Sequence, residues 1–256
     1  MKQCVAFTLY NRPPLVLLNT LGAIGKAALS VPDTEVLIVD DGSNLDYSEI
    51  VEAMSKLMPM RMIRCDTSKE RPGTYSINGL NNPAYASNFA LQHVDAETLF
   101  WMSSDIMPTP WVMRDALTMD LSKVVYMPCV VDLDSQCPYL SPDRLTPYGW
   151  FMASATQNFR DVGWDEEYLK GIAFEDNDFT ARLAQKVGRF IIDTRWTVWH
   201  QSHPQTAYSD DLVGHNINRD YTIKKWGGIP WDKDNGCPLK LTVGRVNNHV
   251  LMDVKA

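Results

Sequence analysis

The chain has 256 residues, 45% hydrophobic and 21% charged, with a formal net charge of −7. That length supports a full core in roughly one to two domains, and the acidic balance gives no global support for gripping nucleic acid. No apolar run approaches the roughly 20 residues of a membrane-spanning helix, and five cysteines without a CxxC spacing argue against a zinc site or disulfide framework.

The N-terminal MKQCVAFTLYNRPP lacks the long apolar region and cleavage site of a signal peptide, so the expected location is cytoplasmic. VAFTLY (5–10) reads as a buried strand. Pro13 and Pro14 open a helix, as proline does at a first turn. Leu15, Leu18, Leu21, Gly22, Gly25, Ala28 and Leu29 define its predicted core face. EVLIVDDGS (35–43) is a continuous apolar strand ending in two aspartates and a glycine. Ile50, Val51, Met54, Leu57 and Met58 recur at helical spacing, and MRMIRC (60–65) is a third strand. PAYASNFALQHV (83–94) predicts a helix and TLFWM (98–102) the next buried strand. VVYMPCVVDL (124–133) is another strand, and the proline-rich stretch 138–147 reads as irregular. EDNDFTARLAQKVG (175–188) carries a helix pattern stopped by Gly188, and RFIIDTRWTVWH (189–200) is β-rich.

Strands alternate with helices, and the early strands are apolar throughout. This predicts an α/β fold with a mostly parallel central sheet flanked by helices. No internal repeat or linker interrupts the chain. The expected division is a single domain over 1–204 with a C-terminal extension over 205–256.

In such a sheet, ligands bind beyond the carboxyl ends of the strands. The polar residues there are Asn11–Arg12, Asp40–Asp41–Gly42–Ser43, Ser103–Ser104–Asp105 and His200. No GxGxxG or GxxxxGK[ST] loop occurs, so dinucleotide or P-loop binding lacks its main support. Carboxylates and a histidine at one edge suit a divalent cation, and the cation suits a phosphate ligand. Each residue alone has a plainer reading. Asp-Gly-Ser favours turns, Asp105 can close a local turn, and Glu175 and Asp176 stand at a helix start, where acids are favoured. His200 and His203 suit a metal pair, and either can equally be a solvated loop histidine. Tryptophans more often pack cores than bind sugars. Asp178 and Arg182, at i and i+4, predict a helix-surface ion pair worth about 0.3–0.5 kcal/mol.

LIVDDGS, ASNFAL, LFWMSSD with PTPWV, and GWDEEYLKGIAFEDNDFTARL follow one another as in family 2-like glycosyltransferases of the GT-A fold. TLYNRPPLVLLNTL also resembles that family's start, and the resemblance runs over roughly residues 4–203. It implies a GT-A (Rossmann-like) fold and transfer of a sugar from a nucleotide-sugar donor, most simply a UDP-sugar. It implies that Asp40 or Asp41 holds the uracil or ribose, with Asn11 beside the base. Ser104 and Asp105 fall on the donor side. Asp105 matches the second aspartate of the DxD motif, which binds Mn²⁺ or Mg²⁺ bridging the two phosphates. His200 falls where relatives carry a histidine that reaches the metal or the diphosphate.

The resemblance further implies that Asp176 is the general base of an inverting transfer, with Glu175 and Trp164 in the acceptor-side segment. Arg219, Lys224 and Lys225 suggest a lid over the diphosphate. Ser103 departs from the pattern, because the family's first aspartate stands there. The site is one carboxylate short, so weak metal binding is expected without donor and tighter binding with it. The family-level acceptor is a glycan or polysaccharide. Rival readings are sugar transfer to a hydroxymethylated DNA base, which the acidic charge disfavours, a non-catalytic nucleotide-sugar-binding module, and a nucleotidyltransferase.

Overall fold

The first two strands, β1 (Gln3–Leu9) and, after helix α1 (Pro14–Ala28), β2 (Thr34–Asp41), are buried along nearly their whole length. Only a sheet covered by helices on each side permits that. The structure is a computed structural model that describes residues 2–77, 79–203, 212–232 and 236–255. The chain continues through α2 (Ser48–Ser55), β3 (Met60–Cys65), α3 (Thr67–Glu70), β4 (Ser76–Ile77), β5 (Leu80–Asn81) and α4 (Ala84–His93). Next come β6 (Thr98–Met102), β7 (Ile106–Met107), α5 (Val112–Ala116), β8 (Val125–Asp132), β9 (Pro138–Leu140), β10 (Phe151–Ala155) and α6 (Thr156–Val162). A 3₁₀ turn (Glu166–Lys170), α7 (Glu175–Val187), β11 (Arg189–His200), α8 (Leu212–Trp226), β12 (Lys240–Val246) and β13 (His249–Lys255) complete the order.

The main sheet runs β12-β13-β11-β8-β10-β6-β1-β2-β3, with β7 on β11 and β9 on β8. β3, β2, β1 and β6 are parallel. β10 is antiparallel to both β6 and β8, so direction is restored at β8, and β11 is parallel to β8. The parallel character predicted from the apolar strands therefore holds. Its consequence is that the ends of β1, β2, β6, β8 and β11 gather at one edge of the sheet.

Three expectations need correction. The buried face of α1 is Val16, Leu17, Thr20, Leu21, Ile24 and Ala27, whereas Leu15, Leu18 and Leu29 are exposed, Leu29 by 87%. Leu17, Leu21 and Ile24 keep the i, i+4, i+7 period and outcompete the leucines beside them. Leu57 lies past the end of α2 and is exposed. Phe151–Ala155, not foreseen as a strand, is central to the sheet and fully paired with β6.

The described part of 205–256 is continuous with the sheet. β13 pairs with β11 from Arg189↔Asp253 to Asp193↔His249, and β12 pairs with β13. The proposed boundary at 204–205 lies outside the described residues. No helix among the described residues is long and apolar enough to cross a membrane.

Candidate active site

A pocket of about 750 Å³ opens at the carboxyl edge of the sheet. Two groups of ionisable residues line it: Arg12, Asp105, Asp132, His200 and His203, and the pair Glu175–Asp176.

The first group is built by a tight turn and two strand ends. After β6, Ser103 donates its N–H to the Trp150 carbonyl (3.1 Å) and accepts from the Ile106 N–H (3.2 Å). This turn drives Asp105 into the interior. Its Oδ2 lies 3.0 Å from His203 Nε2, 3.1 Å from Arg12 Nη2 and 3.7 Å from His200 Nε2. Its Oδ1 is buried with no hydrogen-bond partner among the described residues. Burial alone pushes the Asp105 carboxyl up, but the His203 hydrogen bond and the Arg12 and His200 charges outweigh it and hold it below the usual range.

β11 carries His200 into register with Asp132 on β8 and Ile106 on β7. His200 Nδ1 is 3.4 Å from Asp132 Oδ2, and its ring meets Tyr139 and Trp150 edge-on. Asp132 takes hydrogen bonds from the Ser135 N–H and hydroxyl, both 2.8 Å. The backbone bond leads in holding its carboxyl well below the usual range.

Asp105, His200 and His203 each offer one ligand atom, all within 4.8 Å of one another. One carboxylate oxygen and two imidazole nitrogens suit a first-row divalent cation, and the partnerless Oδ1 is a buried acceptor that a cation would satisfy. These residues therefore fit such an ion. Arg12 opposes it. Its Nε donates to Ser104 Oγ (3.0 Å) and its guanidinium lies against the His203 ring. A fixed positive charge in the cluster weakens the binding of a second.

The second group stands at the first turn of α7. Glu175 Oε2 accepts from Asn82 Nδ2 at 2.7 Å. Burial raises the Glu175 carboxyl, and the neighbouring Asp176 charge raises it further. Burial also raises Asp176, against the opposing N–H groups of Asn177 and Gly149. A carboxylate raised toward neutrality is a stronger base than an ordinary aspartate. Asp178, expected at the helix surface, is 0% exposed. It takes Arg182 Nε at 2.7 Å, Lys225 Nζ at 2.6 Å and Trp226 Nε1 at 2.8 Å. The i,i+4 pair is thus a buried node, because α8 covers that face of α7.

The remaining sequence candidates separate. Asp41 lines the main pocket, with its carboxylate bound to the Thr67 N–H (2.7 Å) and hydroxyl (2.8 Å). Asp40, its neighbour on β2, lines a separate pocket of about 230 Å³ with Tyr47 and Arg64, as strand alternation requires. Asn11, at φ 44°, clamps two loops: its N–H reaches Ser43 Oγ and its Oδ1 takes the Asn44 N–H, both 2.8 Å. Tyr10, not Asn11, lines the pocket. Ser104 is buried and accepts from Arg12.

Trp164 is 6% exposed and stacks on Phe179 with ring centroids 3.7 Å apart, so its ring serves the core while part of it lines the pocket. Arg219, Lys224 and Lys225 do not line the pocket; Lys225 is held by Asp165 and Asp178, both at 2.6 Å. Sequence reasoning placed Arg12 at this edge without giving it a role, and it passed over Asp132. Asp132 ends an apolar strand at the same edge, which was the available signal.

Residues 4–119 match the sequence model of glycosyl transferase family 2. No curated protein matches the chain in sequence. Among solved structures, it is similar to S. aureus TarS 1–349 in complex with UDP-GlcNAc: TM-score 0.66, 15% identity, covering 88% of this chain and 66% of that one. It is similar to the same protein in complex with UDP (TM-score 0.62, 17% identity, 89% and 72% covered). It is also similar to GalNAc-T7 with UDP, GalNAc and Mn²⁺ (TM-score 0.59, 13% identity, 88% and 49% covered). The chain spans 60% of a further TarS 1–349 structure and 44% of the TarS chain. The motif order, the strand order and the match agree: residues 4–119 are similar to glycosyl transferase family 2, and the chain shares the GT-A fold of these solved structures.

Proposed function

We propose that the chain transfers a sugar from a UDP-sugar to a hydroxyl of a glycan acceptor, with inversion and with help from a divalent cation. One observation carries the reading: a single pocket holds both a cation-fitting cluster and a carboxylate pair raised by burial. The similar structures with UDP-GlcNAc, with UDP, and with UDP, GalNAc and Mn²⁺ support the choice of donor and ion.

Asp105, His200 and His203 would hold the cation, with Mn²⁺ or Mg²⁺ the expected ion. When bound, it neutralises charge developing on the leaving diphosphate. Arg12 brings a second positive charge to the same place, which helps neutralise the diphosphate where Ser103 leaves the cation one carboxylate short. Tyr10 and Asp41 face the nucleoside. Asp176 removes the proton of the acceptor hydroxyl during attack, a contribution of about 10²–10⁴-fold. Burial raises both carboxyls and the Asp176 charge raises Glu175 further, so the two titrate as a pair that shares its charge. Attack from the face opposite the diphosphate turns an α-linked donor into a β-linked product.

The test is a panel of nucleotide sugars with glycan acceptors, with and without Mn²⁺. UDP release from a UDP-sugar is expected to rise with Mn²⁺ and acceptor. Asp176→Asn is expected to abolish transfer while UDP binding persists. Donor binding without transfer or hydrolysis anywhere in the panel makes the chain a binding module instead. An α-linked product from an α-linked donor overturns the inversion.

A further inference from the structure

The two residues before the carboxylate pair, Ala173 and Phe174, both have left-handed backbone (φ 61° and 68°), and neither is glycine. Side chains with a Cβ adopt that conformation only where their surroundings over-determine it. Here the surroundings come from α8. Asn218, fully buried, donates from Nδ2 to the carbonyls of Tyr168 and Ala173, both at 2.9 Å. One turn earlier, the Gly214 carbonyl accepts from the Ile172 N–H at 3.1 Å. The His215 ring meets Phe174 at 4.7 Å. Gly171 lets the two segments touch, because a Cβ there would collide with the Gly214 carbonyl and the Asn218 side chain.

Asn82 grips the same turn, donating to Glu175 Oε2 at 2.7 Å and to the Ala173 carbonyl at 3.5 Å. Further along α7, Asn177 Nδ2 donates to the Pro230 carbonyl (3.2 Å) and Trp231 Nε1 to Thr180 Oγ1 (2.9 Å). The carboxylate-bearing turn of α7 is therefore held by the C-terminal segment, which lies beyond the family match over residues 4–119.

We infer that α8, through Asn218, positions the Glu175–Asp176 pair: it fixes the left-handed turn whose direction sets where the Asp176 carboxylate stands in the pocket. The inference rests on the reading of Asp176 as the base. Asn218 does not line the pocket, so it is a positioning residue and not a catalytic one.

The experiment compares Asn218→Ala, Asn218→Asp and His215→Ala with the parent. UDP-GlcNAc turnover, UDP affinity by calorimetry and amide exchange over residues 172–178 are measured. Asn218→Ala is expected to lower kcat about 10- to 100-fold, the scale of a roughly 1 Å misplacement, with donor KM and UDP Kd within about twofold of the parent. Asn218→Asp, which keeps the size but removes the two donors, behaves alike. His215→Ala, at a half-exposed position, gives a smaller fall of the same kind and decides the question if the Asn218 variants do not fold. Amide protection over 172–178 falls in each.

Unchanged kcat and unchanged protection in folded variants overturn the inference, as do equal losses in kcat and UDP affinity, which signal general loosening. Asp176→Asn run alongside separates the two readings. Parent-like turnover in that variant defeats the base assignment by itself. An inactive Asp176→Asn beside fully active Asn218 and His215 variants defeats only the role of α8.

Discussion

His203 approaches Asp105 more closely than His200 does, 3.0 Å against 3.7 Å, and it does so from the loop beyond β11. A ligand set that includes His203 makes a direct prediction. His203→Ala weakens UDP binding in Mn²⁺ by about tenfold or more and leaves metal-free UDP binding little changed. Calorimetry with and without Mn²⁺ measures both. Equal UDP affinity in the two buffers for the parent protein contradicts the cation site.

Arg12 holds the Asp105 carboxylate at 3.1 Å while the His203 ring lies beside its guanidinium. Arg12→Met is therefore expected to shift binding in two opposite directions. Mn²⁺ binds the donor-free protein more tightly, because a repelling charge has gone. UDP without metal binds more weakly, because a phosphate partner has gone. Parallel changes in both affinities count against this arrangement.

Ser103→Asp places a second carboxylate at the pocket wall beside Asp105. Donor-free Mn²⁺ affinity is expected to rise about tenfold, since affinity for such ions follows ligand charge. Tight Mn²⁺ binding to the unsubstituted, donor-free protein would show that the missing acid is not what limits the site.

Burial raises both Glu175 and Asp176. A base works only unprotonated, so kcat rises with pH through the titration of Asp176, and this acid limb lies above the ordinary aspartate range. Stability runs the other way. A carboxyl that holds its proton more tightly folded than unfolded stabilises the fold at low pH, and that stabilisation is lost as pH rises through the folded-state pKa. Glu175→Gln removes the loss and keeps an oxygen for Asn82. Thermal melts from about pH 5 to pH 9 should show the variant gaining on the parent progressively as pH rises to about 8, with no further gain above it. A gain confined to low pH reverses the assigned direction.

Asp178, itself fully buried, joins the partly buried Arg182, Lys225 and Trp226. Asp178→Ala is expected to destabilise by about 3 kcal/mol, the cost of breaking a buried pair, and not by the few tenths of a surface pair. Urea unfolding measures it, and a loss below about 1 kcal/mol restores the surface reading.

Local pattern carried much of the fold. The ends of β2, β6 and β11 were readable because apolar strands stop at polar residues, and that rule alone located Asp41, Asp105 and His200. It reached Arg12 as well, and Asp132 satisfies it though it went unnoticed; neither residue type announces a role until tertiary pairing shows its neighbours. Asp132 acquires meaning from its register opposite His200 on β11. Phe151–Ala155 was illegible because its place depends on two partners distant in sequence, and five residues, four of them apolar, give no period to read. Trp164 looked like a sugar platform in its segment; only packing shows Phe179 against its ring. Asp178 was misread because the i,i+4 spacing says nothing of what covers the helix.

The sheet order also bears on how the molecule acquires competence. Arg12 and His203 touch across 191 positions of sequence, and Asp105 meets His203 across 98. Closing loops of that length is costly and slow relative to local pairing. Strands β1, β2, β3 and β6 can pair among themselves as the chain emerges, whereas the cation cluster waits for β11 and the residues beyond it. Refolding followed by a sheet signal should therefore run ahead of refolding followed by UDP–Mn²⁺ binding, with ligand affinity among the last properties the chain gains.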